Sequence, residues 1–279
     1  MPGVLFEGGS LRPVFSCGVM DALLEEEVMF PYCIGVSAGA ADAASYISKQ
    51  KGRNIQMLEQ YRNDKRYISK RNFLKEKSLF GIQFVFRDIP NKLIPFDMDT
   101  FQSYQGTFLI TATDAHTGET KYFTQKDVDR EFNVFCATCA LPVAFPAITV
   151  NGREYYDGGL SNPIPIDKVM EDGNEKALIV LTRPEGFRKE CGRSDRMAAR
   201  AVQRKYPVIA HQLRTRYEKY NQSVAECERL EKEGKAVILR PETELDSYEK
   251  DVKTLRHTYE TGYEMARKRM QDIKKLFDE

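Results

Sequence analysis

The chain has 279 residues, of which 42% are hydrophobic and 30% are charged, which is enough for one large α/β domain with a sizeable core. A formal net charge of only +1 excludes a protein that attracts nucleic acid through its overall charge. No apolar stretch is long enough to cross a bilayer and no secretory signal is visible at the N-terminus, so we expect a cytoplasmic location.

The first fifty residues predict two strand–turn–helix units. Residues 4–6 read as a short apolar strand that ends in a glycine turn, and residues 14–27 show helical spacing. Residues 32–36 read as a second apolar strand, followed by an alanine-rich helix at 38–49. Glycines at both strand-to-helix turns favour a parallel sheet with helices on its faces.

Downstream of residue 100 the pattern predicts more strands and a helical end. In order, we expect strands at 107–113 and 120–123, a hairpin across 148–156, strands at 177–181 and 236–239, and a long charged helix at 247–277. Asn151-Gly152 marks the hairpin. The wholly apolar run at 177–181 predicts a strand near the centre of the sheet. With no clear linker, one domain is the simplest organisation.

Gly35-Val36-Ser37-Ala38-Gly39 lies between a predicted strand and a predicted helix. This context is typical of a nucleophile elbow, a sharp turn that exposes a serine hydroxyl. The positive end of the following helix dipole would point at the reacting group. An ordinary tight turn is the alternative interpretation, but the placement favours Ser37 as a nucleophile, with Gly35 and Gly39 making room around it.

A serine nucleophile needs a base to take its proton. His116 lies in a predicted turn, and His211 and His257 lie in predicted helices, so none occupies a loop after a strong strand. Asp157-Gly158-Gly159, in contrast, ends a predicted strand in a glycine turn that can present a carboxylate. We therefore favour a Ser37–Asp157 dyad; a purely structural turn aspartate is the alternative.

Gly8-Gly9-Ser10 and Arg12 follow the first predicted strand. Consecutive small residues free backbone N–H groups to point into one concavity, as an oxyanion hole requires. A phosphate-binding turn is the competing interpretation, although the segment matches neither common glycine-rich phosphate motif. Arg12 is a candidate to anchor this loop or to contact an anionic substrate.

Three segments together resemble the patatin-like phospholipases, above all the small bacterial members. They are Glu7-Gly8-Gly9-Ser10-Leu11-Arg12, Gly35-Val36-Ser37-Ala38-Gly39 and Asp157-Gly158-Gly159. The resemblance implies a three-layer α/β/α sandwich with a mostly parallel central sheet. It also implies one hydrolase domain over residues 1–279, with a motif-bearing core at 3–183 and a helical C-terminal region at 184–279.

The same resemblance implies hydrolysis of phospholipid or related acyl esters through an acyl-enzyme, without histidine, metal or other cofactor. Ser37 would be the nucleophile, Asp157 the base, and the N–H groups of Gly8, Gly9 and Ser10 the oxyanion hole, with Gly158 and Gly159 in support. Ser10 and Pro13 stand where the family usually has glycine. A catalytically weak or inactive lipid-binding regulator therefore stays open as an alternative, as does a phosphate-binding enzyme that uses the glycine turn.

Charge and apolar residues cluster locally. Residues 49–77 hold ten basic and three acidic residues, and residues 186–216 hold nine basic and two acidic residues. Each basic block is interpreted either as a solvated face or as a contact with anionic headgroups and membrane surfaces. The apolar run at 78–96 predicts either a cap over an acyl-chain pocket or ordinary core. Cys136 and Cys139 lack a second pair or nearby histidines, which disfavours a metal site. The sequence indicates no nucleic-acid partner and no oligomeric state.

Overall fold

The computed structural model describes residues 1–278, and a mixed sheet lies at its centre. The strands are Pro2–Phe6 (β1), Tyr32–Val36 (β2), Thr107–Asp114 (β3), Thr120–Thr124 (β4), Ile148–Val150 (β5), Arg153–Asp157 (β6), Lys176–Val180 (β7) and Ala236–Leu239 (β8). Their order is β5-β6-β3-β2-β1-β7-β8, and β4 pairs with β3. The run from β3 through β2, β1 and β7 to β8 is parallel, whereas β4, β5 and β6 pair antiparallel.

Helices cover both faces of this sheet. They are Val14–Glu25 (α1), Ala38–Ile47 (α2), Arg53–Tyr61 (α3), Lys70–Glu76 (α4), Met98–Gln102 (α5), Asn133–Thr138 (α6), Ile166–Glu171 (α7), Arg193–Val202 (α8), Pro207–Lys232 (α9), Val252–Lys268 (α10) and Met270–Lys274 (α11). A π-helix spans Phe84–Leu93, and 3-10 turns span Gln125–Asp127, Gly158–Leu160 and Lys275–Phe277.

The parallel strands divide their side chains between two cores. In β1, Val4 and Phe6 join the core that contains α1 and α2, whereas Leu5 joins the core beneath α7 and α9. This alternation follows from the two-residue repeat of a strand. Both faces are buried, which explains why these strands read as unbroken apolar runs. The arrangement confirms the expected three-layer sandwich.

Several element boundaries differ from the expected ones. Helices α1 and α2 each end two residues early, because Glu27 and Lys49 adopt positive φ angles that a helix cannot continue. β7 is not central, since β8 alone lies between it and the sheet edge. The expected helix at 247–277 is wrong as one element: Asp251 caps a later start at Val252, and a break near Arg269 separates α10 from α11.

Helix α10 packs on α1 with backbone against backbone. A methyl group on Gly18 of α1 would overlap the carbonyl oxygen of Tyr259, and one on Gly262 of α10 would overlap that of Phe15. Glycine in a helix interior costs about 1 kcal/mol relative to alanine, and here it permits the close crossing. None of the helices in residues 1–278 is both long and apolar enough to span a membrane.

Candidate functional site

Ser37 occupies the turn between β2 and α2 with φ 54° and ψ −133°. This is a sparsely populated conformation for a residue with a side chain, and surrounding packing must hold it. A methyl on Gly35 would lie 2.5 Å from Cα of Ala40, and one on Gly39 would overlap the carbonyl oxygen of Glu7. The two glycines therefore let α2 start directly against the strand ends, which is the geometry expected of a nucleophile elbow.

Asp157 ends β6 and lies directly beside this serine. The Ser37 hydroxyl donates a 2.6 Å hydrogen bond to Oδ2 of Asp157, while Oδ1 accepts one from the N–H of Gly159 at 2.7 Å. Only 2% of Asp157 is exposed. Burial raises the pKa of its carboxyl to about 6, and the bonds from Ser37 and Gly159 oppose that rise. A carboxylate of this kind is suited to accept a proton near neutral pH.

The three histidines lie away from this pair. His116 in the β3–β4 turn bonds Glu154 at 3.0 Å, whereas His211 is on α9 and His257 on α10. None of the three lines either cavity that contains Ser37. Within the part of the chain that the structure describes, the side chain that accepts a hydrogen bond from the Ser37 hydroxyl is therefore that of Asp157 and not of a histidine.

Thr138 and Ala140 accept backbone hydrogen bonds from Ser37 and Asp157, and the sequence pattern did not indicate these contacts. The hydroxyl of Thr138 accepts the backbone N–H of Ser37 at 2.9 Å, and the carbonyl of Ala140 accepts the N–H of Asp157 at 2.9 Å. Thr138 is fully buried. A lone threonine at a short helix end carries no pattern, so only the folded chain reveals that it orients the elbow.

The glycine-rich loop packs directly on Ser37. A methyl on Gly8 would lie 2.8 Å from Cβ of Ser37, and Gly9 and Ser10 both have positive φ, at 145° and 58°. Across residues 1–278, no protein acceptor bonds the backbone N–H groups of Gly8, Gly9 or Ser10. Free N–H groups in a strained loop beside a hydroxyl are what an oxyanion hole needs.

Arg12 and Thr182 anchor that loop. The Thr182 hydroxyl donates to the carbonyl of Gly8 at 2.9 Å, and its N–H donates to the buried carboxylate of Glu7 at 2.6 Å. The Arg12 guanidinium bonds the hydroxyls of Thr182 and Ser247, and a methyl on Gly9 would lie 2.6 Å from it. Pro13 stands immediately before α1 with φ −60°, a position where a missing N–H costs little.

An apolar cavity of about 140 Å³ opens at Ser37. Part of its wall comes from the segment at 78–96, including Phe80, Phe86 and Ile89. This segment contains the π-helix, and Pro90 lies inside it. The segment therefore both packs as core and covers a cavity beside the serine, so the two alternatives for it are not exclusive.

Two family models match successive parts of the chain. A family model described as patatin-like phospholipase matches residues 4–170, and one described as Domain of unknown function (DUF6363) matches residues 206–278. The uncharacterized protein YjjU of Escherichia coli K12 is 23% identical over 184 residues, which cover 64% of this chain; the chain spans about half of that relative, 51%. The crystal structure of VipD from Legionella pneumophila is similar with a TM-score of 0.49 and 13% identity, over 99% of this chain and 67% of VipD.

Proposed function

The chain belongs to the patatin-like phospholipase family, and on that premise we propose that it hydrolyses carboxylic esters of phospholipids or related lipids with a Ser37–Asp157 dyad. The observation that carries the proposal is the 2.6 Å bond from the Ser37 hydroxyl to the buried carboxylate of Asp157. It is supported by the free N–H groups of the adjoining glycine-rich loop and by the apolar cavity that opens at Ser37.

In the proposed first step, Oγ of Ser37 attacks the ester carbonyl carbon while its proton moves to Asp157. The N–H groups of Gly8, Gly9 and Ser10 stabilise the negative charge that develops on the carbonyl oxygen. Collapse of this intermediate breaks the bond to the alcohol, which leaves with the proton from Asp157. Water then attacks the acyl-enzyme, Asp157 takes and returns a proton again, and the fatty acid is released.

We assign the acyl chain of the substrate to the apolar cavity. Its wall is aliphatic and aromatic near Phe80, Phe86 and Phe145, and burying a methylene there is worth about 0.8 kcal/mol. The positive end of α2 and the loop amides then face the ester group at the cavity mouth. This arrangement separates a polar reaction centre from an apolar binding region.

We further propose that the surface around α4 contacts anionic lipid. Leu74 is 80% exposed and Phe73 is 41% exposed, and basic side chains flank them at Lys70, Arg71, Lys75 and Lys77. Exposed apolar residues within a basic cluster suit a membrane interface. The chain continues from α4 directly to Phe80 in the cavity wall, so this contact would bring the lipid surface close to the cavity.

The direct test of the proposed activity is Ser37→Ala. We expect hydrolysis of a short-chain nitrophenyl ester to fall by about 10³-fold or more, as loss of a covalent nucleophile does elsewhere, with unchanged circular dichroism. Ser103→Ala, at an exposed serine outside both cavities, is the matched control and should retain the rate. Retained turnover in Ser37→Ala would reject the assignment.

A fluorophosphonate probe separates the hydrolase from a lipid-binding regulator of the same fold. The probe forms a bond only with an activated serine, so we expect wild-type protein to be labelled at Ser37 and Ser37→Ala to stay unlabelled. A wild-type protein that binds lipid but neither labels nor turns over ester would contradict the hydrolase and favour the regulator.

A further inference from the structure

A second cavity, of about 590 Å³, also reaches Ser37. It shares four lining residues with the apolar cavity: Ser10, Ser37, Leu141 and Tyr248. Asp157, Gly8 and Gly9 lie in its wall as well. The Ser37 hydroxyl therefore stands where an apolar space and a second, differently lined space meet.

Besides four acidic side chains, five basic side chains line this second cavity. They are Arg12, Arg183, Arg188, Lys189 and Arg216. Arg188 is already paired with Glu228 at 2.8 Å, and one side of Arg216 is paired with Asp195 at 2.6 Å. Arg183 has only a 3.9 Å contact with an exposed glutamate. Within residues 1–278, Arg12, Arg183 and Lys189 thus have no carboxylate oxygen closer than 3.9 Å.

Lys189 and Arg216 retain unused donors. Within residues 1–278 the Lys189 ammonium forms no hydrogen bond or ion pair, and it lies 5.5 Å from the ring centroid of Tyr220. The buried Nε of Arg216 also has no partner in that part of the chain. Burial, reinforced by Arg216, lowers the pKa of Lys189 to about 7. An anion bound in this cavity would favour the charged form of Lys189 and give its ammonium a hydrogen-bond acceptor.

The carboxyl groups in the same wall do not replace that anion. Glu7 is buried and bonded to the N–H of Thr182, and burial raises its pKa. Asp195 is engaged by Arg216 and by the N–H of Gly192. Asp157 belongs to the proposed dyad, and Glu190 is exposed.

We propose that Lys189 and Arg216 in this cavity bind a phosphate group of the substrate and thereby set the preference for phosphate-bearing over neutral esters. The inference rests on the proposed hydrolase function and deepens it. In a glycerophospholipid only a few bonds separate an acyl ester from the phosphate. With the ester at Ser37 and the acyl chain in the apolar cavity, the phosphate would lie in the adjoining second cavity, beside Lys189 and Arg216.

This assignment gives the C-terminal region a part in substrate choice. Lys189 comes from the loop between β7 and α8, and Arg216 comes from α9, inside the segment that matches the family of unknown function. Tyr220 and Tyr248 from the same region line the cavity too. The basic run at 186–216 is therefore not only a solvated face: two of its members turn inward toward the reacting serine.

The test compares two soluble esters of equal chain length, dihexanoyl phosphatidic acid and dihexanoyl glycerol, as substrates of the full chain. For Lys189→Gln and for Arg216→Gln we expect the ratio of kcat/KM for the phosphate ester to kcat/KM for the neutral ester to fall at least about tenfold. Lys189→Arg keeps the charge and should retain most of the ratio. Lys232→Gln, an exposed lysine at the end of α9, is the control for a general change of charge.

An unchanged ratio in both glutamine variants would overturn the subsite. If Arg216→Gln fails to fold because Asp195 loses its partner, the Lys189 variants decide alone. A second experiment measures binding to the Ser37→Ala variant, with a dihexanoyl ether phospholipid and inorganic phosphate titrated in separate measurements. Lys189-dependent binding of the ether lipid supports the subsite even where no ester is hydrolysed, in which case only the proposed activity fails. Binding of inorganic phosphate with no gain from the lipid would overturn it in favour of a free-anion site.

Discussion

Asp157 has two opposing requirements, burial and charge. Burial brings its carboxylate into contact with the Ser37 hydroxyl and excludes water, but it also raises the pKa to about 6. The bonds from Ser37 and Gly159 recover part of the cost of the ionised form. With this pKa, Asp157 is ionised at neutral pH yet basic enough to take a proton, as its proposed role of general base requires.

This pKa predicts a pH dependence of both activity and stability. We expect kcat/KM for a nitrophenyl ester to decline below about pH 6, as Asp157 becomes protonated. Because the pKa is raised in the folded state, ionised Asp157 opposes folding, and this cost appears as pH rises from about 4 to 6. Asp157→Asn should therefore lose activity. The unfolding midpoint of the variant minus that of wild type should be larger at pH 7 than at pH 4, because only wild type carries the buried charge at pH 7.

Asp99→Asn, at an exposed position on α5, is the control for both measurements and should follow wild type. A flat rate profile between pH 5 and 8 would contradict the role of Asp157 as base. An Asp157→Asn variant whose relative stability does not change over this pH range would contradict the raised pKa.

At the scale of elements, the crossing of α1 and α10 connects the C-terminal region to the core. Gly18 and Gly262 let the two backbones touch, and the Tyr259 hydroxyl on α10 donates to Asp21 on α1 at 2.8 Å. Further along, the backbone of Leu11 in the glycine-rich loop donates to the carbonyl of Ser247. The C-terminal region therefore supports the loop that approaches Ser37, as well as the opposite end of α1.

We expect Gly18→Ala to destabilise the protein although alanine is the better helix former. The new methyl has no room, and overpacking of this kind costs about 1–3 kcal/mol, against a gain of about 1 kcal/mol in helix propensity. Urea unfolding measures the difference. Gly192→Ala, at the N-cap of α8, is the control for a methyl group added where there is room, because it would meet only ordinary contacts at 3.6 Å or more. A Gly18→Ala variant as stable as wild type would contradict the close crossing.

At the scale of the molecule, a net charge of +1 conceals two basic regions, for which we propose different ligands. One lies around α4 with exposed Leu74, and the other turns Lys189 and Arg216 into the cavity beside Ser37. Not every basic residue in the block at 49–77 faces solvent, because buried Arg62 donates hydrogen bonds to the carbonyls of Tyr248 and Glu249. We propose that the chain forms one functional domain, since Ser10 near the N-terminus and Tyr248 in the C-terminal region line both cavities.

The proposed membrane surface predicts charge-dependent binding to vesicles. Wild-type protein should bind phosphatidylglycerol vesicles more tightly than phosphatidylcholine vesicles, and Lys70→Glu with Lys75→Glu should weaken anionic binding at least about tenfold, at about 1 kcal/mol for each removed basic charge. Leu74→Asp should weaken binding to both. Lys232→Glu with Lys268→Glu, away from α4, is the control. Equal weak binding of wild type to both kinds of vesicle would sink the proposal.

The sequence by itself determined the local geometry of this protein. Apolar runs and glycine turns predict β1, β2 and the elbow at Ser37 because strand burial, tight turns and steric room depend on a few neighbouring residues. The wholly apolar run of β7 predicts a strand with both faces buried, but its place near the sheet edge depends on β8, sixty residues on. The prediction of a single long C-terminal helix is wrong for a similar reason. Asp251 caps a helix that begins at Val252, and residues 247–249 form loop contacts with other parts of the chain although their spacing is helical.

Only the tertiary structure decided which distant residues meet. Ser37 and Asp157 are 120 positions apart, and β6 must pair with β3, and β3 with β2, before their side chains touch. Thr138 carries no local pattern, and the basic run at 186–216 does not reveal that Lys189 and Arg216 line the cavity beside Ser37, because a hydroxyl or a cation gains its role only from the group it faces. Packing also decided that Gly18 and Gly262 lie at a helix crossing, where the space available to a methyl group is set by another part of the chain.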